Sequence, residues 1–549
     1  MKRRIIISLS ILLIGLGSVK AQYPTIPPAV QKWSDSLMAA ATKHSDSMWW
    51  ISYPIIKEEA KHGRPYIPWA ARPVDLPQAS IAAFPGAEGG GKYSFGGRGG
   101  RVIVVTNLND AGVGSFRWAC EEGGARIVVF NVSGIIRIKT PLMIRAPYIT
   151  IEGQSAPGDG VCVAGESVWI NTHDVIVRYM RFRRGETNEG RRDDAIGGNP
   201  VGNIMIDHVS ASWGLDENMS MYRHMYNDST PMKNGELKLG TVNITIQNSI
   251  FSESLDTWNH AFGSTLGGEN CAFVRNLWAD NAGRNPSIGW NGIFNFANNV
   301  VFNWVHRSTD GGDYTAMYNI INNYYKPGPS TPGQDKPISH RILKPESGRS
   351  KLGYLVFGRA YVNGNIVEGN ETVTKDNWNG GVQVEEQPDA GQYKDAMKWD
   401  KPLPMPELTI IPTLEAKAFV LANAGATLPK RDPVDTRIIK QVVTGKIDYI
   451  EGVKLPTTQF KYRRLPIDSY KQGIITDPSQ VGGYPVYKGT PYIDSDSDGI
   501  PDAWETAHGL NLKDPKDAAA ITKSGYSNIE VYLNSLVDVK TVSPATSKN

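Results

Sequence analysis

His173-Asp174-Val175-Ile176-Val177, Asn203-Ile204-Met205-Ile206-Asp207 and Asn243-Ile244-Thr245-Ile246-Gln247 repeat one phrase, a short β-rich run introduced by a polar turn residue. The phrase returns as Asn270-Cys271-Ala272-Phe273-Val274, Asn291-Gly292-Ile293-Phe294-Asn295 and Thr315-Ala316-Met317-Tyr318-Asn319. The starts at 173, 203, 243, 270, 291 and 315 lie 21 to 30 residues apart, except for one step of 40 that must hold a loop. A strand recurring at this interval is what a parallel β-helix needs. Each coil gives one strand to each stacked sheet, and no coil can bury its apolar face alone. Asn at equivalent turns tolerates a left-handed backbone and can hydrogen-bond its copy in the next coil. An α/β fold would interpose amphipathic helices of about 10–15 residues, and none is legible between 100 and 325. An antiparallel sandwich fits poorly with the repeated wording and the scarcity of two-residue hairpins. The expected fold class is therefore all-β, a parallel β-helix.

Outward from this repeat, the chain divides into four parts. Residues 1–21 carry Lys2, Arg3 and Arg4, an apolar run over 5–16, and small residues around Val19-Lys20-Ala21, which predicts a secretory signal peptide and an exported protein. No cysteine follows the run, so no lipid anchor is expected. No later stretch is long and apolar enough to span a membrane. Residues 22–80 form a lead-in, with a helix predicted over 29–61 from Trp33, Leu37, Met38 and Ala41 at helical spacing, then Pro-rich text. Such a helix is expected to cap an open end of the sheets. Residues 81–490 form the β-helix, whose later part includes strand-like Tyr354-Leu355-Val356-Phe357 and Tyr361-Val362-Asn363-Gly364-Asn365-Ile366, then helices near 413–424 and 437–444 that wrap back along it. Residues 491–549 are a tail.

Composition narrows the function. The chain is 549 residues long, 40% hydrophobic and 21% charged, with a net charge of only +3. That balance gives no global basic field for nucleic acid, so an acidic partner must be met by a local cluster. Three cysteines (Cys120, Cys162, Cys271) are too few for a disulfide scaffold and read as buried thiols.

The tail holds Asp494-Ser495-Asp496-Ser497-Asp498-Gly499-Ile500-Pro501-Asp502-Ala503-Trp504-Glu505, a D-x-D-x-D-G-x5-E calcium loop. Asp494, Asp496, Asp498, Asp502 and Glu505 are the expected oxygen ligands, and Gly499 takes the sharp turn. A plain acidic linker explains neither Gly499 nor Trp504-Glu505. The segment resembles thrombospondin type 3 and dockerin-like repeats, and its calcium reads as structural.

A second acidic cluster carries the chemistry. Asp193-Asp194 precede one strand and Asp216-Glu217 follow it, while Arg181, Arg183, Arg184, Arg191 and Arg192 crowd the same region. Carboxylates for a hard cation beside arginines for carboxylates suit an anionic sugar polymer bridged by calcium. A network of surface ion pairs is the equally weighted alternative on residues alone.

Ile206-Asp207-His208-Val209-Ser210-Ala211-Ser212-Trp213 resembles the W-I-D-H signature strand of polysaccharide lyase family 1, the pectate lyases, with Met205 where Trp often stands. Asp194-Ala195-Ile196, Asp216-Glu217-Asn218-Met219-Ser220, Asn281-Ala282-Gly283-Arg284-Asn285-Pro286 and the opening Phe84-Pro85-Gly86-Ala87-Glu88-Gly89 resemble further family segments, across roughly 80–330. The resemblance implies a right-handed β-helix and an enzyme that cleaves an acidic pectic polysaccharide by calcium-assisted β-elimination; with the signal peptide, a secreted monomer is expected. It implies Arg284 as catalytic base and Asp193, Asp194, Asp216 and Glu217 as calcium ligands. Arg183, Arg184, His260 and Asn281 are the expected substrate-binding residues, and Asp207-His208 is expected to be structural. The chain departs from the pattern at Ala261, where a lysine is usual, at Gly289, where a second arginine often occurs, and at Ser220, where a further acid is expected. A non-catalytic pectin-binding protein and a β-helix glycoside hydrolase using paired carboxylates are the competing readings.

Overall fold

The computed structural model describes residues 26–185, 191–226, 237–257, 260–347, 352, 354–384, 390–455 and 465–537. The expected signal peptide at 1–21 lies outside the described residues. The repeated phrase forms one side of a three-sided stack. His173–Arg178, Gly202–Asp207, Val242–Gln247, Glu269–Val274, Ile293–Ala297 and Met317–Ile321 pair in parallel within a ten-stranded sheet that runs from Arg101–Val105 to Ala360–Asn363. A nine-stranded sheet runs from Gly134–Arg137 to Ile366–Val367, and an eight-stranded sheet from Leu142–Ile144 to Leu343–Pro345. Each full coil visits the three in turn, which is a parallel β-helix.

Alternation along each strand sends every second side chain inward. Val177, Ile206, Ile246, Phe273, Phe296, Ile320 and Val362 stand in register in one buried column. All three cysteines are buried and unpaired. The asparagines stack as expected. Asn203, Asn243 and Asn270 all have φ between 51 and 53°, and the Asn243 amide donates to Asn203 at 3.0 Å and the Asn270 amide to Asn243 at 2.7 Å. A second ladder, Asn276, Asn299, Asn323, Asn365 and Asn377, occupies the turn into the nine-stranded sheet and satisfies backbone N–H groups that no strand partner reaches.

The lead-in helix is Pro28–Ala60, and it rests against the end strand Leu142–Ile144. Its buried face is Ser34, Ala41, Ser45, Trp49, Ser52 and Ile56, whereas Trp33 is half exposed. Small serines let the helix approach closely, which the apolar spacing did not reveal. The helices Thr413–Asn423 and Pro433–Thr444 lay Val420, Ile438 and Val442 on the outer face of the nine-stranded sheet, against Ile250, Leu277, Val300 and Phe302. Residues 354–357 carry no strand, contrary to expectation, and the chain rejoins the sheets at Ala360–Asn363. The tail folds back onto the other end: Ile500, Ile529 and Leu533 pack on Ile127 and Val129 from outside the ten-stranded sheet. No helix of the described residues is long and apolar enough to cross a membrane.

Candidate active site

The eight-stranded sheet brings the chemistry together. Asp194 precedes Ile196–Gly198, Glu217 opens the next strand Glu217–Met221, Phe262 begins the third, and Arg284 precedes Ser287–Ile288. Ile196 is in register with Met219 and Glu217 with Phe262, while Phe262 bridges Gly283. Neighbouring strands lie about 4.8 Å apart, so residues separated by up to 90 positions become neighbours. The carboxylates of Asp194, Asp216 and Glu217 each place an oxygen within 4.8 Å of the others. They line a cavity of about 300 Å³ with Trp169, Arg192, Asp193, Ser220, Tyr222, Arg223, Thr265 and Arg284.

Like charges this close need a cation or a proton. Burial, then the neighbouring carboxylates, push the Asp194 and Asp216 carboxyls well above the usual carboxylate range. Asp194 Oδ2 is buried without a hydrogen-bond partner. A hard divalent cation that takes oxygen ligands fits this set. Ser220 lines the same cavity as Asp194, so it stands beside the cluster as a neutral neighbour rather than a fourth acid.

Arg284 reaches the same group. Its Nη1 bonds Glu217 Oε1, which also accepts from Thr265 Oγ1 at 2.8 Å, and its guanidinium lies 4.3 Å from the centre of the Phe262 ring. Burial favours the neutral form of Arg284, but Glu217 and then Asp216 overrule it and hold the pKa above the ordinary arginine value. His260 is buried, with Nε2 3.1 Å from Asp216 Oδ1 and its ring edge-on to Phe262. It is therefore packed against an acid rather than open to a ligand.

Four further sequence expectations need correction, all for burial. The Arg183 guanidinium is wholly enclosed, donating to Asp432 at 2.8 Å and Asp435 at 2.9 Å on the wrapping helix Pro433–Thr444 and its cap. Arg184 is equally enclosed, bonded to Asp193 and 3.4 Å from Glu166. Asp193 is in turn shared with Arg191 at 2.7 Å, which occupies the carboxylate expected to bind metal. Asn281 is a buried knot behind the site, accepting from Asn218 at 3.0 Å and Ser254 N at 3.1 Å. The Asp207–His208 pair, with its 2.8 Å contact, sits on the ten-stranded sheet in another cavity, His208 stacked on Tyr179 at 4.6 Å.

The tail forms two overlapping acidic groups, Asp494–Asp496–Asp498 and Asp498–Glu505–Asp517. Both Asp496 oxygens, both Glu505 oxygens, Asp498 Oδ2 and Asp517 Oδ1 are buried without hydrogen-bond partners, which a cation would satisfy. Desolvation, reinforced by the other carboxylates, pushes Asp498 up to about 8 and Glu505 up to about 7. Asp502 departs from the expected ligand set, because its carboxylate accepts from Ser495 N and Ser495 Oγ, both at 2.7 Å, and so braces the loop. Asp517, which no loop spacing singles out, takes a place among the acids instead.

The chain is 35% identical over 468 residues to a protein of Aspergillus fumigatus named probable pectate lyase C, the match covering 83% of this chain and 94% of that one. It is 34% identical over 467 residues to the protein of the same name from Aspergillus flavus (84% and 95% covered). To that from Emericella nidulans it is 34% identical over 478 residues (85% and 96%). No family model matches. Among solved structures, the major allergen of cedar pollen superposes with a TM-score of 0.41 at 19% identity, covering 62% of this chain and 92% of that one. A Bacillus pectate lyase in complex with trigalacturonate gives 0.37 at 15% identity, covering 62% and 98%.

Proposed function

The chain belongs to the pectate lyase family and is a polysaccharide lyase; from that premise we propose that it cleaves an acidic, little-esterified pectic polymer by calcium-assisted β-elimination, outside the cytosol. The observation that carries this reading is the convergence of Asp194, Asp216 and Glu217 with Arg284 on one cavity floor.

When bound by those three carboxylates, calcium supplies positive charge that draws the uronate carboxylate and acidifies the C5 hydrogen of the sugar. Arg284 in its neutral form, which a cation drawing on the charge of Glu217 and Asp216 would favour, takes the C5 proton. The electrons of the C5–H bond form the C4–C5 double bond as the C4–O bond breaks, and the departing oxygen takes a proton from solvent water. Guanidinium is a poor base because its free pKa exceeds 12. Here burial pulls Arg284 toward neutrality while Glu217 and Asp216 pull it back. Its proton affinity is therefore set by how much negative charge those two side chains retain. Phe262 fixes the plane of the guanidinium, and Thr265 orients the Glu217 oxygen that it meets.

The glycoside hydrolase alternative is disfavoured by the arrangement of the acids. A hydrolase sets two acids on opposite sides of the scissile bond, whereas here three carboxylates converge on one point beside Arg284. The tail acids, with Asp517 added and Asp502 set aside, we assign to a second, structural calcium. The test is ultraviolet absorbance of the unsaturated product on polygalacturonate, with calcium or chelator, beside Arg284→Ala. A calcium-dependent rise that the variant lacks supports the reading. A folded, polymer-binding protein that gives no rise on any pectin sinks it.

A further inference from the structure

Beside the acidic cluster, a column of residues that are in register in the eight-stranded sheet changes character abruptly. Met221, Leu266 and Ile288 are successive neighbours, and each is followed by one residue of the next column: Tyr222, Gly267 and Gly289. A Cβ on Gly289 would lie 2.9 Å from Tyr222 Cβ and 3.0 Å from its ring, and one on Gly267 would lie 3.6 Å from Tyr222 Cβ. Tyr222 thus lies over two glycines, and its ring fills the volume that a side chain at 289 would claim. Glycine at 289 and tyrosine at 222 divide one volume between coils.

What Tyr222 carries is the point. The Arg223 Nε donates to the Tyr222 hydroxyl at 2.9 Å, and the guanidinium lies 5.3 Å from the ring centre. Lys238, across the antiparallel pair Arg223–Tyr226 and Leu237–Gly240, stands 5.6 Å from the same ring and 4.9 Å from that of Trp290. Arg223 lines the same cavity as Asp194, Glu217 and Arg284. Among the described residues no carboxylate pairs with it, unlike Arg183, Arg184, Arg191 and Arg284, each of which is ion-paired. It is half-buried, with its remaining N–H groups uncommitted among the described residues. An arginine steadied on an aromatic face, facing a polar cavity, presents the planar fork that matches a carboxylate.

We propose that Arg223, seated on Tyr222, binds a uronate carboxylate of the polymer one subsite away from the Asp194–Asp216–Glu217 group, and that it sets the preference for unesterified over methyl-esterified sugar. The inference rests on the pectic reading above, because only an anionic sugar polymer supplies such a carboxylate. A methyl ester removes the charge and half of the paired acceptors, so it loses the interaction.

The test uses the full-length protein with unesterified and methyl-esterified oligogalacturonides, measuring both elimination kinetics and direct binding by calorimetry. Arg223→Ala raises KM and Kd for the unesterified oligomer by about 10- to 100-fold, leaves kcat close to that of the parent, and erases the discrimination against the ester. Arg223→Lys recovers part of the affinity but not the discrimination. Unchanged KM, Kd and ester preference in Arg223→Ala, with the parent cleaving normally, overturns the inference and leaves the lyase reading intact. Oligouronide binding that depends on Arg223 in a parent that forms no unsaturated product sustains the subsite and sinks the lyase reading. A parent that binds no oligouronide overturns both.

Discussion

Arg183→Met tests whether the arginine run belongs to the substrate or to the scaffold. Arg183 joins the nine-stranded sheet to Asp432 and Asp435, at the cap and first turn of the helix Pro433–Thr444. Tyr487 also donates to Asp432 at 2.7 Å, and Arg181 stands 3.7 Å away. Removing Arg183 leaves two buried carboxylates with these partners, the Ser210 hydroxyl on Asp435 and the Asp435 N–H on Asp432, none of which replaces the bridging cation, a loss of about 3–5 kcal/mol. The size is consistent with Asp432 itself. Burial would raise its pKa, but Arg183 and then Arg181 overrule that and hold it at about 2 against an ordinary 3.8, a difference worth about 2–3 kcal/mol. Because the folded pKa is depressed, this stability is fully present above about pH 4 and fades as the pH falls toward 2. The urea midpoint of Arg183→Met therefore drops at neutral pH, and the gap from the parent narrows below pH 4. Below the midpoint the variant keeps the parent's KM on polygalacturonate. A variant of parental stability with a raised KM would refute the burial argument and return Arg183 to the substrate.

Three further outcomes follow from the same geometry. Asp496→Asn combined with Asp517→Asn, or a chelator acting on the parent, releases the tail from Val129 and Ile127; Trp504 fluorescence and protease sensitivity change together, and an unchanged spectrum counts against a cation there. Glu217→Gln removes a cation ligand and the partner that holds Arg284 charged, so kcat falls by roughly 100-fold or more while the pH at half-maximal rate moves down, as the pH–rate profile reports. Gly289→Ala forces its Cβ against Tyr222 and destabilises the fold by about 1–3 kcal/mol, and Tyr222→Ala in the same chain relieves it; additive effects in the double-mutant cycle exclude the shared volume.

The repeat at 173, 203, 243, 270, 291 and 315 determined the parallel stack, because a coil's apolar face can be buried only by another coil written in the same pattern. The asparagine turns were legible for the same local reason: a left-handed backbone and a short amide are properties of one residue and its copy. So were Asp194, Asp216 and Glu217 as a group, since coil spacing converts sequence intervals of about one turn into contact, whereas Arg284 was placed with them only by the resemblance of its segment. The burial of Arg183 was not legible, because its partners Asp432 and Asp435 lie some 250 positions later, on a helix whose docking no local periodicity encodes. Asn281 looks the same in sequence whether it faces a groove or the interior. Asp517 outranked Asp502 only once the tail had closed on itself. The exchange between Tyr222 and Gly289 spans two coils and is a matter of volume, which a linear reading does not measure. Periodicity and turn chemistry are carried by neighbours along the chain; charge pairing and occupied space are decided by whatever the finished fold sets alongside.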